Sequence, residues 1–103
     1  MCRAYLRKEV AVEIKLARYG PSFATRERAR SMIKELAPIR GDVALHIEGA
    51  MVSPSFLAEI LTLLVRQADS VLIAGDPLQT GMAERVIRQL SLAPKVRVVA
   101  LAG

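Results

Sequence analysis

The stretch Gly41-Asp42-Val43-Ala44-Leu45-His46-Ile47-Glu48-Gly49-Ala50-Met51-Val52-Ser53-Pro54-Ser55-Phe56-Leu57-Ala58-Glu59-Ile60 predicts a buried strand, a short loop and the start of a helix. Residues 43–48 alternate in character with the two-residue period of a strand. Ser53 stands where a helix N-cap belongs, and Pro54 follows at the first helical position, where a missing N–H costs nothing. We expect the rest of the chain to be arranged around this unit and the functional site to lie there.

Composition predicts a single globular domain over residues 1–103, with residues 1–8 as a loosely packed or disordered tail. Hydrophobic residues make up 52% of the chain, which is enough for a modest core. No apolar run approaches the roughly 18–20 residues of a membrane helix, and residues 1–8 hold no apolar segment typical of a signal peptide. Cys2 is the only cysteine, which excludes an internal disulfide and a thiolate zinc site. We therefore expect a cytoplasmic protein without a cofactor or a resident metal.

The charge balance does not favour nucleic acid as a partner. The formal net charge is +5, but the basic residues are scattered through every segment of the chain. There are only four aromatic residues, and they do not alternate with basic ones in a pattern that would stack bases.

Apolar spacing along the chain predicts the order β-α-β-α-β-α-β. The predicted strands are 9–17, 43–48, 71–74 and 95–101. The predicted helices run from a cap at Thr25 to Pro38, over 54–68, and from a cap at Thr80 to Pro94. Alternating strands and helices indicate a mainly parallel sheet with right-handed crossovers.

Polar residues on one side of three predicted strands suggest that one sheet face is open. These residues are Glu13, Lys15, His46, Glu48, Lys95 and Arg97. With all helices on the other face, right-handed crossovers arrange the strands in the order 1-2-3-4. The sequence therefore predicts an α/β two-layer sandwich, with a mainly parallel four-stranded sheet and three helices mostly on one face.

The helix over 54–68 is apolar around most of its circumference. Its polar residues form one narrow line, which consists of Ser55, Glu59, Thr62 and Arg66. We therefore expect this helix to be packed between neighbours and to expose a single line that begins at Ser55.

The loops that follow parallel strands gather at one edge of the sheet, where such folds bind ligands. Three helix N-termini point to this edge and favour an anion, or a phosphate attached to Ser53 or Ser55. Arg26 in the first turn of the first helix is a candidate to hold an anion or an acidic partner, although it also suits an ordinary solvated surface. Ser53 likewise has a purely structural role as an N-cap. Asp76 forms either an acidic pair with Glu48 or a turn before Pro77.

Catalysis has little support in the sequence. The chain contains no GxSxG, GxxxxGK[ST] or GxGxxG motif. His46 is the only histidine, and its strand position places it on the expected open face. We expect a protein that is not an enzyme.

Three segments of the chain resemble a known family. They are Tyr19-Gly-Pro-Ser-Phe-Ala-Thr-Arg-Glu-Arg-Ala-Arg30, Val43-Ala-Leu-His-Ile-Glu-Gly49 and Val52-Ser-Pro-Ser-Phe-Leu-Ala-Glu59. Their order and spacing over residues 19–65 resemble the STAS-like domain family of uncharacterised function. That family is similar to the STAS domains of sulfate transporters and anti-sigma factor antagonists.

This resemblance implies a STAS-like fold and a regulatory role. Partner-switching members of the related family bind a histidine-kinase-like ATPase/anti-sigma factor and are phosphorylated on the first serine of Asp-Ser-Ser-Gly. Alignment of Ser55-Phe56-Leu57 on Ser-Gly-Leu puts Pro54 in the phosphorylated position, and a shift by one puts Ser53 there.

Together these observations predict a non-enzymatic, bacterial regulatory protein–protein interaction module, phospho-switched at the start of the second helix. We expect its partner to contact Arg26, Ser53–Ser55, Glu59 and Asp76. The alternative is a small-anion or nucleotide-binding domain that uses the same helix N-termini. A homodimer through the open sheet face, or through the edge of strand one, is a third hypothesis.

Overall fold

The computed structural model describes residues 12–101, which form six strands, three α-helices and one 3₁₀ turn. The strands are β1 (Val12–Lys15), β2 (Ser22–Phe23), β3 (Asp42–His46), β4 (Met51–Val52), β5 (Ser70–Gly75) and β6 (Val96–Ala100). The helices are α1 (Arg26–Leu36), α2 (Pro54–Gln67) and α3 (Pro77–Leu90), and the 3₁₀ turn is Leu16–Arg18. The predicted tail at 1–8 and the first residues of the strand predicted at 9–17 lie outside the described residues.

The main sheet has four strands in the order β1-β3-β5-β6, and every neighbouring pair is parallel. The predicted α/β class and the mainly parallel four-stranded sheet are therefore confirmed. The order differs from the predicted 1-2-3-4 because the chain has two further strands, β2 and β4, which were not predicted and which take numbers in chain order. They pair in parallel as a separate two-stranded sheet.

The small sheet escaped prediction because each of its strands has only two residues, too few to show a period. Backbone hydrogen bonds hold it together. The Met51 amide donates to the Pro21 carbonyl oxygen, and the Ser53 amide donates to the Phe23 carbonyl oxygen, both at 2.9 Å. These bonds join the loop before α1 to the loop before α2.

The core lies between the main sheet and the helices. Alternate strand residues are fully buried, among them Ile14, Val43, Leu45, Val71 and Ile73. Helix α2 packs against both α1 and α3. Phe56 of α2 is fully buried, and the centroid of its ring lies 5.2 Å from the ring centroid of Phe23 in the small sheet.

The other face of the main sheet carries exposed side chains, as the strand pattern predicts. Leu72 and Val99 are exposed there, together with Glu13 and Arg97. Lys95 is an exception to the prediction, because it precedes β6 and its Nζ donates to the Val65 carbonyl oxygen of α2 at 2.7 Å. Glu48 likewise lies in the loop after β3 and not within a strand.

Helix α3 begins at Pro77, not after Thr80 as predicted. Asp76 caps it, and Thr80 is instead a buried residue of the first turn whose Oγ1 donates to the Pro77 carbonyl oxygen at 3.0 Å. The prediction was wrong because Asp76 was assigned to a turn. In the part of the chain that the structure describes, no helix is long and apolar enough to cross a membrane.

Candidate functional site

The candidate site lies at the edge of the main sheet where β1, β3 and β5 end. In a parallel sheet these ends meet on one side, and the connecting loops gather there. The small sheet and the N-termini of α2 and α3 form this edge.

Ser53 caps α2, as predicted. Its Oγ accepts a hydrogen bond from the Phe56 amide at 3.1 Å and donates one to the Ala24 carbonyl oxygen at 3.0 Å. The hydroxyl is therefore engaged both as acceptor and as donor. Pro54 occupies the first turn of the helix, and Pro54 and Ser55 are both exposed.

Asp76 caps α3 through a complete capping box. Its Oδ1 accepts from the Gln79 amide at 2.8 Å, and the Gln79 Oε1 accepts from the Asp76 amide at 3.0 Å. Neither role predicted for Asp76, an acidic pair with Glu48 or a turn before Pro77, is the one observed, because its carboxylate caps α3. A carboxylate oxygen of Glu48 lies 3.6 Å from Nδ1 of His46 instead.

Gln79 is a residue that the sequence analysis missed. Besides closing the capping box, its Nε2 donates to the carbonyl oxygens of Ile47 at 2.8 Å and Ala50 at 2.9 Å. One side chain thereby connects the start of α3 to the loop that follows β3. The spacing Asp76-x-x-Gln79 indicates the capping box, but nothing in the sequence indicates which carbonyls the amide nitrogen would reach.

A groove of about 500 Å³ opens between the small sheet and the start of α3, and its lining is mainly apolar. It is lined by Ser22, Phe23, Ala24, Ala50, Met51, Val52, Ser53, Asp76, Leu78 and Gln79, and we call it the edge groove. Two of its side chains are unusually exposed for their type, Met51 at 76% and Leu78 at 88%. Neither was predicted from the sequence, because an isolated apolar residue in a loop or a first helical turn has no periodic partner.

Glu59 joins α2 to α1. Its carboxylate oxygens lie 3.2 Å from Nη1 of Arg26 and 3.1 Å from Nε of Arg30, and only 19% of its side chain is exposed. Partial desolvation raises the pKa of Glu59, but the hydrogen bonds and charges of Arg30 and Arg26 outweigh it and hold the pKa below its ordinary value. The predicted contact residues Arg26 and Glu59 are therefore bound to each other.

The predicted exposed line on α2 is consequently interrupted. Ser55 and Arg66 are exposed at its ends. Between them, Glu59 is held by the arginines, and the Thr62 Oγ1 donates to the Ala58 carbonyl oxygen at 2.8 Å. Ser55 is thus the member of this line that lies exposed beside the capped start of α2.

His46 lies on the other side of the sheet, between two glutamates. Its Nε2 is 3.7 Å from a carboxylate oxygen of Glu13, and its Nδ1 is 3.6 Å from one of Glu48. Within residues 12–101, no group of three or more histidine, cysteine, aspartate or glutamate side chains has the arrangement of a metal site.

No protein-family model matches the chain, and neither a curated protein nor a solved structure matches it. Function is therefore inferred from the geometry of the edge groove and from its surroundings. Membership of the STAS-like family stays a prediction.

Proposed function

We propose that this chain is a non-enzymatic regulatory module of STAS-like type, which binds a partner protein through the edge groove. The observation that carries the proposal is the exposure of Met51 and Leu78 beside a mainly apolar groove. Exposed apolar side chains grouped around a concavity are typical of protein–protein interaction sites.

The walls of the groove support this proposal because they are held in place before any partner arrives. Ser53 fixes one wall through its bond to the Ala24 carbonyl oxygen. Gln79 fixes the other through its bonds to the Ile47 and Ala50 carbonyl oxygens. A preformed site loses less conformational entropy on binding than a mobile one, so the apolar contacts contribute more of their energy to affinity.

The partner we propose is a histidine-kinase-like ATPase/anti-sigma factor, with phosphorylation at the start of α2 as the switch. Ser55 is a better phosphorylation site than Ser53, because Ser55 is exposed, whereas the Ser53 hydroxyl already donates one hydrogen bond and accepts another. A phosphate on Ser55 would lie in the first turn of α2, where the helix dipole favours negative charge.

Binding to candidate ATPases of this class, measured by calorimetry with purified proteins, tests the groove. Leu78→Gln removes the most exposed apolar side chain and should weaken binding about tenfold or more. Leu90→Gln makes the same chemical change at the other end of α3 and should leave affinity unchanged. Equal effects of the two variants would place the contact away from the groove.

Phosphorylation is tested separately by incubation with the ATPase and ATP, followed by mass spectrometry. We expect modification at Ser55 that disappears in Ser55→Ala. Modification at Ser53, or none at all, would remove the proposed switch while leaving the groove proposal open to its own test.

The alternative function, binding of a small anion or nucleotide, has less support. Arg26 and Arg30 at the start of α1 already bind Glu59, and the Arg28 Nη2 donates to the Tyr19 carbonyl oxygen at 2.8 Å. An anion would have to compete with these contacts. Thermal stabilisation by phosphate or nucleotides, lost in Arg26→Ala, would favour this function over the proposed one.

A further inference from the structure

A second surface, the open face of the main sheet, is independent of the edge groove. The strand register places side chains in two rows that run across all four strands, β1, β3, β5 and β6. A shorter row on the same face holds Asp42 of β3 and Ser70 of β5, and the Ser70 Oγ donates to the Asp42 Oδ1 at 2.7 Å. The first row is Glu13, Ala44, Leu72 and Arg97, and the second is Lys15, His46, Ala74 and Val99. We call these eight residues the open face, since it is the face that no helix of residues 12–101 covers. Ala44 and Ala74 are themselves buried, at 5% and 3% exposure, and His46 is half-buried.

The first row is complementary to its own reverse. Glu13 and Arg97 stand at its two ends with opposite charges, and Ala44 and Leu72 stand between them with small and large side chains. A second copy turned by a two-fold axis along the strands would present this row in reverse order. Glu13 of each copy would then face Arg97 of the other at the two ends of the row. In the middle, Leu72 of each copy would face the smaller Ala44 of the other.

The second row is compatible with the same arrangement. His46 would face Ala74 of the other copy, again large against small. Lys15 would face Val99, which its aliphatic stem can cover while the ammonium group stays in water. Leu72 is 37% and Val99 41% exposed, so the face also has apolar surface to bury.

We propose that the open face binds a second copy of this chain in a two-fold dimer, with Glu13 of each copy opposite Arg97 of the other. Self-complementarity of one patch is what an isologous two-fold interface requires, and two sheets pack face to face with their strands nearly aligned. A face of four strands and about five residues covers roughly 300 Å² per copy. Because a standard interface buries about 800 Å² per partner, this dimer is expected to be weak.

The test is sedimentation velocity of the full chain between about 10 µM and about 1 mM, the range in which a weak dimer dissociates. We expect the sedimentation coefficient of the unchanged protein to rise with concentration. Glu13→Arg and Arg97→Glu should each weaken self-association about tenfold or more, because each places like charges opposite one another.

Mixing the two variants makes the test specific. In a mixed dimer, the arginine introduced at position 13 of one copy faces the glutamate introduced at position 97 of the other. At the opposite end of the row the original Arg97 and Glu13 still face each other, so both ion pairs are present. We therefore expect the equimolar mixture to associate about as strongly as the unchanged protein, although each variant alone does not. Glu84→Arg and Arg85→Glu, which lie on α3 away from the open face, are the matched controls and should leave association unchanged.

Two results would overturn the proposal. A strictly monomeric profile of the unchanged protein up to about 1 mM would exclude a second copy as the occupant of the open face. If both variants still associate, Glu13 and Arg97 do not face each other. The same conclusion follows if the mixture associates no more strongly than each variant alone. Neither result bears on the edge groove, because the two surfaces share no residue.

Discussion

The start of α2 and the start of α3 look alike in sequence but are connected differently in space. Each has a polar N-cap followed by proline, Ser53-Pro54 in one and Asp76-Pro77 in the other. The Ser53 hydroxyl donates out of its helix, to the Ala24 carbonyl oxygen before α1. Asp76 closes only on its own helix, and it is Gln79 that extends to the loop after β3. Equivalent capping motifs can therefore anchor to different parts of a fold.

This difference explains why the edge groove has two fixed walls. The start of α2 is anchored toward α1, through Ser53 and through the contacts of Glu59 with Arg26 and Arg30. The start of α3 is anchored to the loop after β3, through the hydrogen bonds of Gln79. Changes on the α3 side should perturb the loop after β3, whereas changes on the α2 side should perturb its contact with α1.

The largest effect is expected from Gly75→Ala, which disrupts the α3 side directly. An added Cβ would lie 2.8 Å from Cγ1 of Ile47 and 2.9 Å from Oε1 of Gln79. The overpacking should lower the free energy of unfolding by about 3 kcal/mol, measured by urea denaturation. Gly81→Ala is the control, since its Cβ would meet nothing within 4 Å and should stabilise α3. Equal stability of the two variants would contradict the close approach at residue 75.

The next largest effect is expected from Gln79→Ala, which removes the bonds to the Ile47 and Ala50 carbonyl oxygens. The free energy of unfolding should fall by about 2 kcal/mol, because the Ala50 carbonyl oxygen loses this donor and the Ile47 carbonyl oxygen keeps only the Ala50 amide at 3.3 Å. Gln79→Glu keeps an acceptor for the Asp76 amide but has no amide nitrogen to donate, so it separates the loop connection from the capping box. Gln89→Ala, exposed on the same helix, serves as the control. Hydrogen exchange at residues 47–51 should rise only in the two Gln79 variants.

On the α2 side, Ser53→Ala should cost about 1 kcal/mol of unfolding free energy, because the Phe56 amide loses its acceptor. Ser53→Asn restores a capping acceptor and should recover most of this loss. Ser55→Ala lies two residues further on and should be close to neutral. Urea denaturation of the three variants measures the difference. A Ser53→Ala variant as stable as the unchanged protein would mean that neither the cap on the Phe56 amide nor the bond to the Ala24 carbonyl oxygen contributes to stability.

The smallest effect is expected from Glu59→Gln and depends on pH. Because the folded-state pKa of Glu59 is lowered, its carboxylate stabilises the fold above the ordinary glutamate value of about 4.3, and this contribution is lost as the pH falls through the folded-state pKa. The unchanged protein should therefore lose more stability on acidification than the variant does. Thermal melts from neutral to acidic pH, with Glu84→Gln as the control, measure the difference. Parallel pH profiles would contradict the contact with Arg26 and Arg30.

Much of the scaffold could be predicted because its signals are local and periodic. The caps at Thr25 and Ser53 and the bounds of α2 follow from residues close in sequence, and the structure agrees to within a residue. The start of α3 was misassigned because Asp76 suits both a turn and a cap. No sequence pattern indicates the small sheet, because a strand of two residues cannot show a period. Its pairing also depends on a chain segment about thirty residues away.

The candidate site could be predicted in position but not in its contacts. Its location follows from the rule that loops gather where parallel strands end. Arg26 and Glu59, both predicted to contact a partner, bind each other across 33 residues of chain, and no local pattern indicates this contact. Only the tertiary structure shows that the exposed side chains of Met51 and Leu78 line the same groove.

By itself the sequence determined the order of the four main strands and three helices, the α/β class and the cap of α2, because these depend on alternation and on bonds within one turn of chain. Only the tertiary structure decided which carbonyls Gln79 reaches, which acid holds Arg26, and how the rows of the open face are composed. Long-range hydrogen bonds and ion pairs depend on distances of a few ångströms between distant segments. Those distances are set by the packing of the whole core, to which every element contributes.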